Sequence, residues 1–280
     1  MIIEFPIRLI SELAKIEVAD DVLIRRIDDA TRRRALGIYD VVLDDKGRLK
    51  QYGGQFEPGS IGSMLGPELD LYDQLYSSNY VVVFDHAKEL PRHFNFALKI
   101  IGPSCSSLFV GHENPNTKHF ISPPCYYGDE PLIIDATQAR NLSELLALKR
   151  NAVDPKLDLM AEMFLYAMSV APREESRFVE LSVILEMLLL PTSSAELSYR
   201  FALRMSKLLH KCRGVDSLET FASAQRIYRM RSRLVHSGRS AELSKVGPIA
   251  EEAVRDLLKI YLRTPEIFSD SHLDEICVTS

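Results

Sequence analysis

The stretch Arg226-Ile-Tyr-Arg-Met-Arg-Ser-Arg-Leu-Val-His236-Ser-Gly238 decides how the second half of the chain folds. Ile227, Met230 and Leu234 recur at helical spacing, with Ala224, Tyr228 and Val235 flanking the same side, so the spacing predicts a helix. Gly238 falls where helices commonly end in a left-handed residue, because glycine has no Cβ to clash there. With positions 224, 227, 228, 231, 234 and 235 turned toward a core, Arg231 joins the buried stripe. A guanidinium there needs a carboxylate, a phosphate or another acceptor.

Working outward, Asp216-x-x-Glu219 reads as a capping box that opens this helix. The preceding helix begins near Ser194 and turns Leu197, Phe201, Met205 and Leu208 inward, with Arg200, Arg204, Lys207 and Lys211 as a basic stripe beside them. Phe178 to Leu190 is apolar nearly all round, the mark of a buried central helix. Its polar exceptions are Glu180, Ser182 and Glu186, and Glu186 is the acid expected to hold Arg231. Asp154 opens an earlier helix with Leu157, Met160, Phe164 and Ala167 on one side, ending near Ala171-Pro172. A final helix is expected from Pro248 to about Leu262. Five helices with short connections predict a compact bundle over residues 154–265, with 266–280 as a tail.

Upstream the periodicity is different. Residues 1–135 read as a mixed, strand-rich α/β domain, joined to the bundle by a connecting helix or linker at 136–153. Gly37-Ile-Tyr-Asp-Val-Val-Leu43 entering a turn, Tyr80–Phe84, Leu98–Ile101, Ser107–Val110 and Leu132–Ile134 are the expected strands. Residues 53–66 hold five glycines without a following Lys-Ser/Thr, which excludes a nucleotide-hydrolase phosphate loop. His112 and His119 stand in polar surroundings with no partner pattern. The fold class expected for the whole chain is α+β.

At 280 residues and 46% hydrophobic, the chain can bury more than one core. Its net charge of −5 argues against a whole-surface nucleic-acid footprint. Residues 200–239 nevertheless hold ten Lys/Arg against only Asp216 and Glu219, a local basic region able to meet an anion. The four cysteines show no CxxC pair and no zinc spacing with the histidines, so free thiols are expected. The start lacks a basic region followed by an apolar one, and the best apolar run, Val183 to Leu190, contains Glu186. The expectation is a cytoplasmic protein without a membrane partner.

Arg231-Ser-Arg-Leu-Val-His236 has the form Arg-x4-His. Each residue also has a purely structural reading: an ion pair for Arg231, and for His236 the negative end of its helix. Five residues turn an ideal helix about 140° beyond a full turn, so Arg231 and His236 point to different faces. Arg229, Ser232, Arg233 and His236 share one face. A site using both Arg231 and His236 needs a distorted helix end or a second copy of the chain.

Val183-Ile-Leu-Glu-Met-Leu-Leu-Leu190, Ser194-Ala-Glu-Leu-Ser-Tyr-Arg-Phe-Ala-Leu-Arg-Met205 and Ile227-Tyr-Arg-Met-Arg-Ser-Arg-Leu-Val-His-Ser-Gly238 together resemble the HEPN superfamily, in its Apea-like branch, over about residues 155–262. The resemblance implies a helical bundle and a metal-independent, cofactor-free endoribonuclease whose Arg-x4-His motifs meet at a homodimer interface. It implies catalytic roles for Arg231 and His236, beside which the residues themselves offer Glu186 and Ser232 as supporting groups. Arg229, Arg233, Arg200 and Arg204 are the candidates for RNA phosphates. Many relatives carry Asn, Asp or His where this chain has Ser232, and several are non-catalytic modules that bind RNA or a protein. A defence or toxin-like role is implied as well, with residues 1–135 sensing a trigger or a regulatory protein partner.

Overall fold

The computed structural model describes residues 2–7, 9–28, 42–43, 49–51, 79–85, 90–102, 110–111, 120–121, 132–169, 171, 173–192, 196–238 and 242–279. The glycine-rich stretch 53–66, His112 and His119 lie outside these residues, as do parts of the strands expected at 37–43 and 107–110. The chain divides into two compact units, 1–98 with 103–147 and 99–102 with 148–280.

In the first unit, strands β1 (Ile2–Ile7), β2 (Leu9–Ile10), β3 (Lys15–Ala19) and β4 (Val22–Arg26) are followed by β5 (Val42–Leu43), β6 (Leu49–Gln51) and β7 (Tyr80–Asp85). A four-stranded sheet runs in the order β1-β7-β4-β3, antiparallel throughout. Alternation sets the β3–β4 hairpin of this sheet: Ile16, Val18, Val22 and Ile24 are buried while Lys15 and Glu17 are exposed. β7 is central, and its continuous apolar run buries Tyr80, Val81, Val82 and Phe84. Helix α1 (Leu90–Ile101) presents Phe94 edge-on to Phe84, with ring centroids 5.4 Å apart.

α1 corrects one sequence expectation, since Leu98–Ile101 is its last turn and not a strand. A four-residue apolar run has no period of its own, and the buried Phe94, Phe96 and Ala97 ahead of it extend it as a helix. β8 (Val110–Gly111) and β9 (Phe120–Ile121) form a separate pair, and β10 (Leu132–Ile133) lies parallel to β2. Helix α2 (Ala136–Asn151) follows, its first turn capped by Asp135, whose Oδ1 accepts from the Gln138 N–H at 2.7 Å.

The second unit is helical: α3 (Pro155–Ser169), α4 (Glu174–Leu189), α5 (Leu197–Arg213), α6 (Ser217–Ser237), α7 (Leu243–Arg263) and α8 (Asp270–Thr279), with a 3-10 turn at Pro265–Phe268. Pro155 starts α3, where its missing N–H costs no bond, and Asp154 Oδ1 accepts from the Lys156 N–H. The expected inward residues Leu157, Met160, Phe164 and Ala167 are all buried. α4 packs against α3, α5, α6 and α7, as its all-round apolarity requires. Its Ser182 satisfies its hydroxyl locally, donating to the Phe178 carbonyl at 2.7 Å. Among the described residues helix predominates, and no helix is long and apolar enough to cross a membrane.

Two boundaries differ from the sequence reading. α7 begins at Leu243 and carries Pro248 inside it, because Leu243 and Val246 bury an apolar turn ahead of the proline. Residues 270–279 are not a bare tail: they form α8, which buries Leu273 and Ile276 and packs on α5. These two apolar side chains, three apart, are a helical signal too short to read in sequence.

Candidate functional site

α6 carries the candidate site. Asp216 is its N-cap, accepting from the Glu219 N–H at 2.7 Å. Gly238 ends it in the left-handed region, φ 72°, with its N–H donating to the Leu234 carbonyl. Ser223, Ala224, Ile227, Met230 and Leu234 form its buried stripe. Val235 does not belong to that stripe and is 57% exposed, a correction to the wider stripe expected from sequence. At 100° per residue it lies well to one side of Ile227 and Leu234.

Arg231 sits between these limits, at the stripe's edge. Its Nη2 lies 3.3 Å from Glu186 Oε2 on α4, the acid that the sequence singles out. The pair is only partly buried, with side chains 34% and 24% exposed, so the full burial expected for Arg231 is corrected. Arg231 Nε is shielded from solvent and has no hydrogen-bond partner. Burial pushes the Glu186 carboxyl above the usual carboxylate range, and the attraction of Arg231 recovers only part of that shift. Glu186 therefore orients the guanidinium at some cost in desolvation.

The neighbouring face is open. Arg229, Ser232, Arg233 and His236 are all exposed on the last turns of α6. Arg229 Nε donates to the Gln225 carbonyl at 3.2 Å, and Arg233 Nη1 lies 3.4 Å from Glu242 Oε2 in a solvated pair. Such a pair holds weakly and is screened by salt. The helix runs unbroken through Ser237, so the 140° divergence of Arg231 and His236 stands within one chain.

The other two arginines are elsewhere. Arg204 is 1% exposed, its Nη1 donating to the Leu189 carbonyl at 2.7 Å. The same Nη1 lies 2.7 Å from Asp270 Oδ1, and Nε and Nη2 both donate to Asp274 Oδ1. Arg200 Nη2 donates to Asp274 Oδ2 at 2.7 Å. As the structure stands, Arg204 is a buried junction and not an open phosphate ligand. Its carboxylate partners, Asp270 and Asp274, come 66 and 70 residues later, and only their spacing, one helical turn apart, marks them in sequence.

Comparison with known proteins finds no matching family model, no matching curated protein and no matching solved structure.

Proposed function

We propose that this chain is an RNA-acting protein of HEPN type that cleaves RNA without a metal ion. The observation that carries the reading is Arg231 held by Glu186 beside the open face of Arg229, Ser232, Arg233 and His236. RNA supplies its own nucleophile, the 2′-hydroxyl. Attack on the adjacent phosphorus forms the 2′-O–P bond and breaks the bond to the 5′-oxygen, leaving a 2′,3′-cyclic phosphate and a 5′-hydroxyl. His236 moves the proton between those two oxygens, a task suited to an imidazole near neutral pH. Arg231 stabilises the charge on the phosphoryl oxygens, Ser232 supports its position, and Arg229 and Arg233 hold flanking phosphates. A homodimer that sets α6 of one copy against α6 of the other brings one Arg231 toward the second copy's His236, and so accommodates their divergence.

The test is the purified protein with end-labelled single-stranded RNA in excess EDTA. Cleavage with a cyclic-phosphate end, abolished by His236→Ala, is expected. Tight binding with intact RNA refutes the enzyme and leaves a non-catalytic module that binds RNA or a protein through the same face. The divergence of Arg231 and His236 within one chain favours that second reading.

A further inference from the structure

Arg200, Arg204, Lys207 and Lys211 recur at helical spacing along α5, a cationic stripe on one helix. α8 lies over part of it. Asp274 places one oxygen on Arg200 and the other on Arg204, while Asp270 pairs with Arg204 from one turn earlier. This pattern, one anion bridging two guanidinium groups with a second anion beside it, is also how arginines hold successive phosphates. α8 carries Asp270, Asp274 and Glu275, and no lysine or arginine.

The hold on α8 is partly polar. Leu273 and Ile276 are its buried side chains, and a ten-residue helix is marginal by itself in water. Asp270 and Asp274 are 26% and 51% exposed and Arg200 is 33% exposed, so solvent cations reach the carboxylates and a competing anion reaches Arg200 at the rim of the junction. Lys211, at the far end of the stripe, is exposed.

We propose that α8 is an autoinhibitory acidic cover, and that its displacement opens the α5 stripe to the phosphate backbone of RNA. Lys211 gives a polyanion its first contact. Phosphates then compete with Asp274 and Asp270 for Arg200 and Arg204, and the buried guanidinium exchanges one anionic partner for another without being left unpaired. The proposal rests on the reading of the chain as an RNA-acting protein and adds a second, gated binding surface to it.

The full chain and its Asp270→Asn/Asp274→Asn variant are compared for binding fluorescein-labelled 20-nucleotide oligouridine across 50–200 mM salt. Hydrogen exchange over 265–279 is followed in parallel. The variant is expected to exchange faster there and to bind roughly tenfold tighter at 50 mM salt. Its salt slope should steepen by about 1.4, for two new contacts at about 0.7 each. Adding Arg200→Gln should return about half of that steepening.

Faster exchange with unchanged affinity, while wild type still binds RNA through Arg229 and Arg233, overturns the cover and leaves the RNA reading intact. Absence of RNA binding in both proteins overturns the two together. Should the double variant not fold, wild-type exchange with and without the oligouridine decides. RNA is expected to speed exchange over 270–279, and unchanged or slower exchange overturns the proposal.

Discussion

Removing Glu186 and Arg231 singly and together measures how strongly α4 holds the candidate catalytic arginine. At 3.3 Å, two unit charges attract by about 1.3 kcal/mol in bulk water and about 5 kcal/mol at an effective dielectric of 20. Burial of Glu186 opposes that attraction strongly enough to leave its carboxyl above the ordinary range. Arg231 is 34% exposed, so solvent screens the pair and the water-like limit applies better than the interior one. A double-mutant cycle of Glu186→Gln and Arg231→Met should therefore give a coupling energy of about 1 kcal/mol, well short of the 3–5 kcal/mol for breaking a buried pair. The assay is urea unfolding of the four proteins at pH 7, followed by circular dichroism. A coupling above about 3 kcal/mol would show a dry pair and refute the partial exposure; a value indistinguishable from zero would mean that the contact does not hold Arg231 at all.

His236→Ala should leave the unfolding midpoint almost unchanged, losing under about 1 kcal/mol of helix-end interaction, while RNA cleavage is lost; equal losses in stability and activity would count against a chemical role. Gly238→Ala meets no neighbouring atom, yet its φ of 72° should cost about 1–2 kcal/mol, read from the same urea curves. Asp274 would be raised by burial, but the bonds from Arg204 and Arg200 outweigh this and hold its carboxyl below the usual range. A lowered carboxyl stabilises the fold above its unfolded value of 3.8 and loses that contribution as pH falls through its folded value. Protection of the 270–279 amides, corrected for the intrinsic pH dependence of exchange, should accordingly fall as pH drops below 3.8, and unchanged protection would contradict the junction. Glu186 has the opposite sign: its contribution is full below 4.5 and is lost as pH rises through its higher folded value, so Glu186→Gln should flatten that part of the stability profile.

Local chemistry was legible, and long-range chemistry was legible only where both partners broke an apolar pattern. Gly238 and Asp216 act through atoms within four residues of themselves, so the end and start of α6 could be read directly. The Glu186–Arg231 pair was legible because each residue breaks an apolar pattern and each is the other's natural partner. Arg204 carried an equal charge in an equally plausible basic stripe, but its burial depends on Asp270 and Asp274, which no local period connects to it. Leu98–Ile101 failed for another reason: as four apolar residues they fit strand or helix alike, and α1 settled the choice through what precedes them. The width of the buried stripe on α6 was overestimated at Val235, since periodicity gives the centre of a face better than its edge.

Arg255 on α7 gives the helical unit an unexpected boundary. Its Nε donates at 2.9 Å to the carbonyl of Lys99, one of the four residues, 99–102, that the unit takes from far upstream. The arginine is 8% exposed, and burial pushes its guanidinium down to about 10. A gene fragment encoding only residue 150 onward supplies every helix of the bundle yet omits that acceptor, stranding one donor of a buried cation. The helical half is thus not a cassette that a single recombination point can move. Transplanting it intact takes two excisions, or a circular permutation that carries 99–102 along.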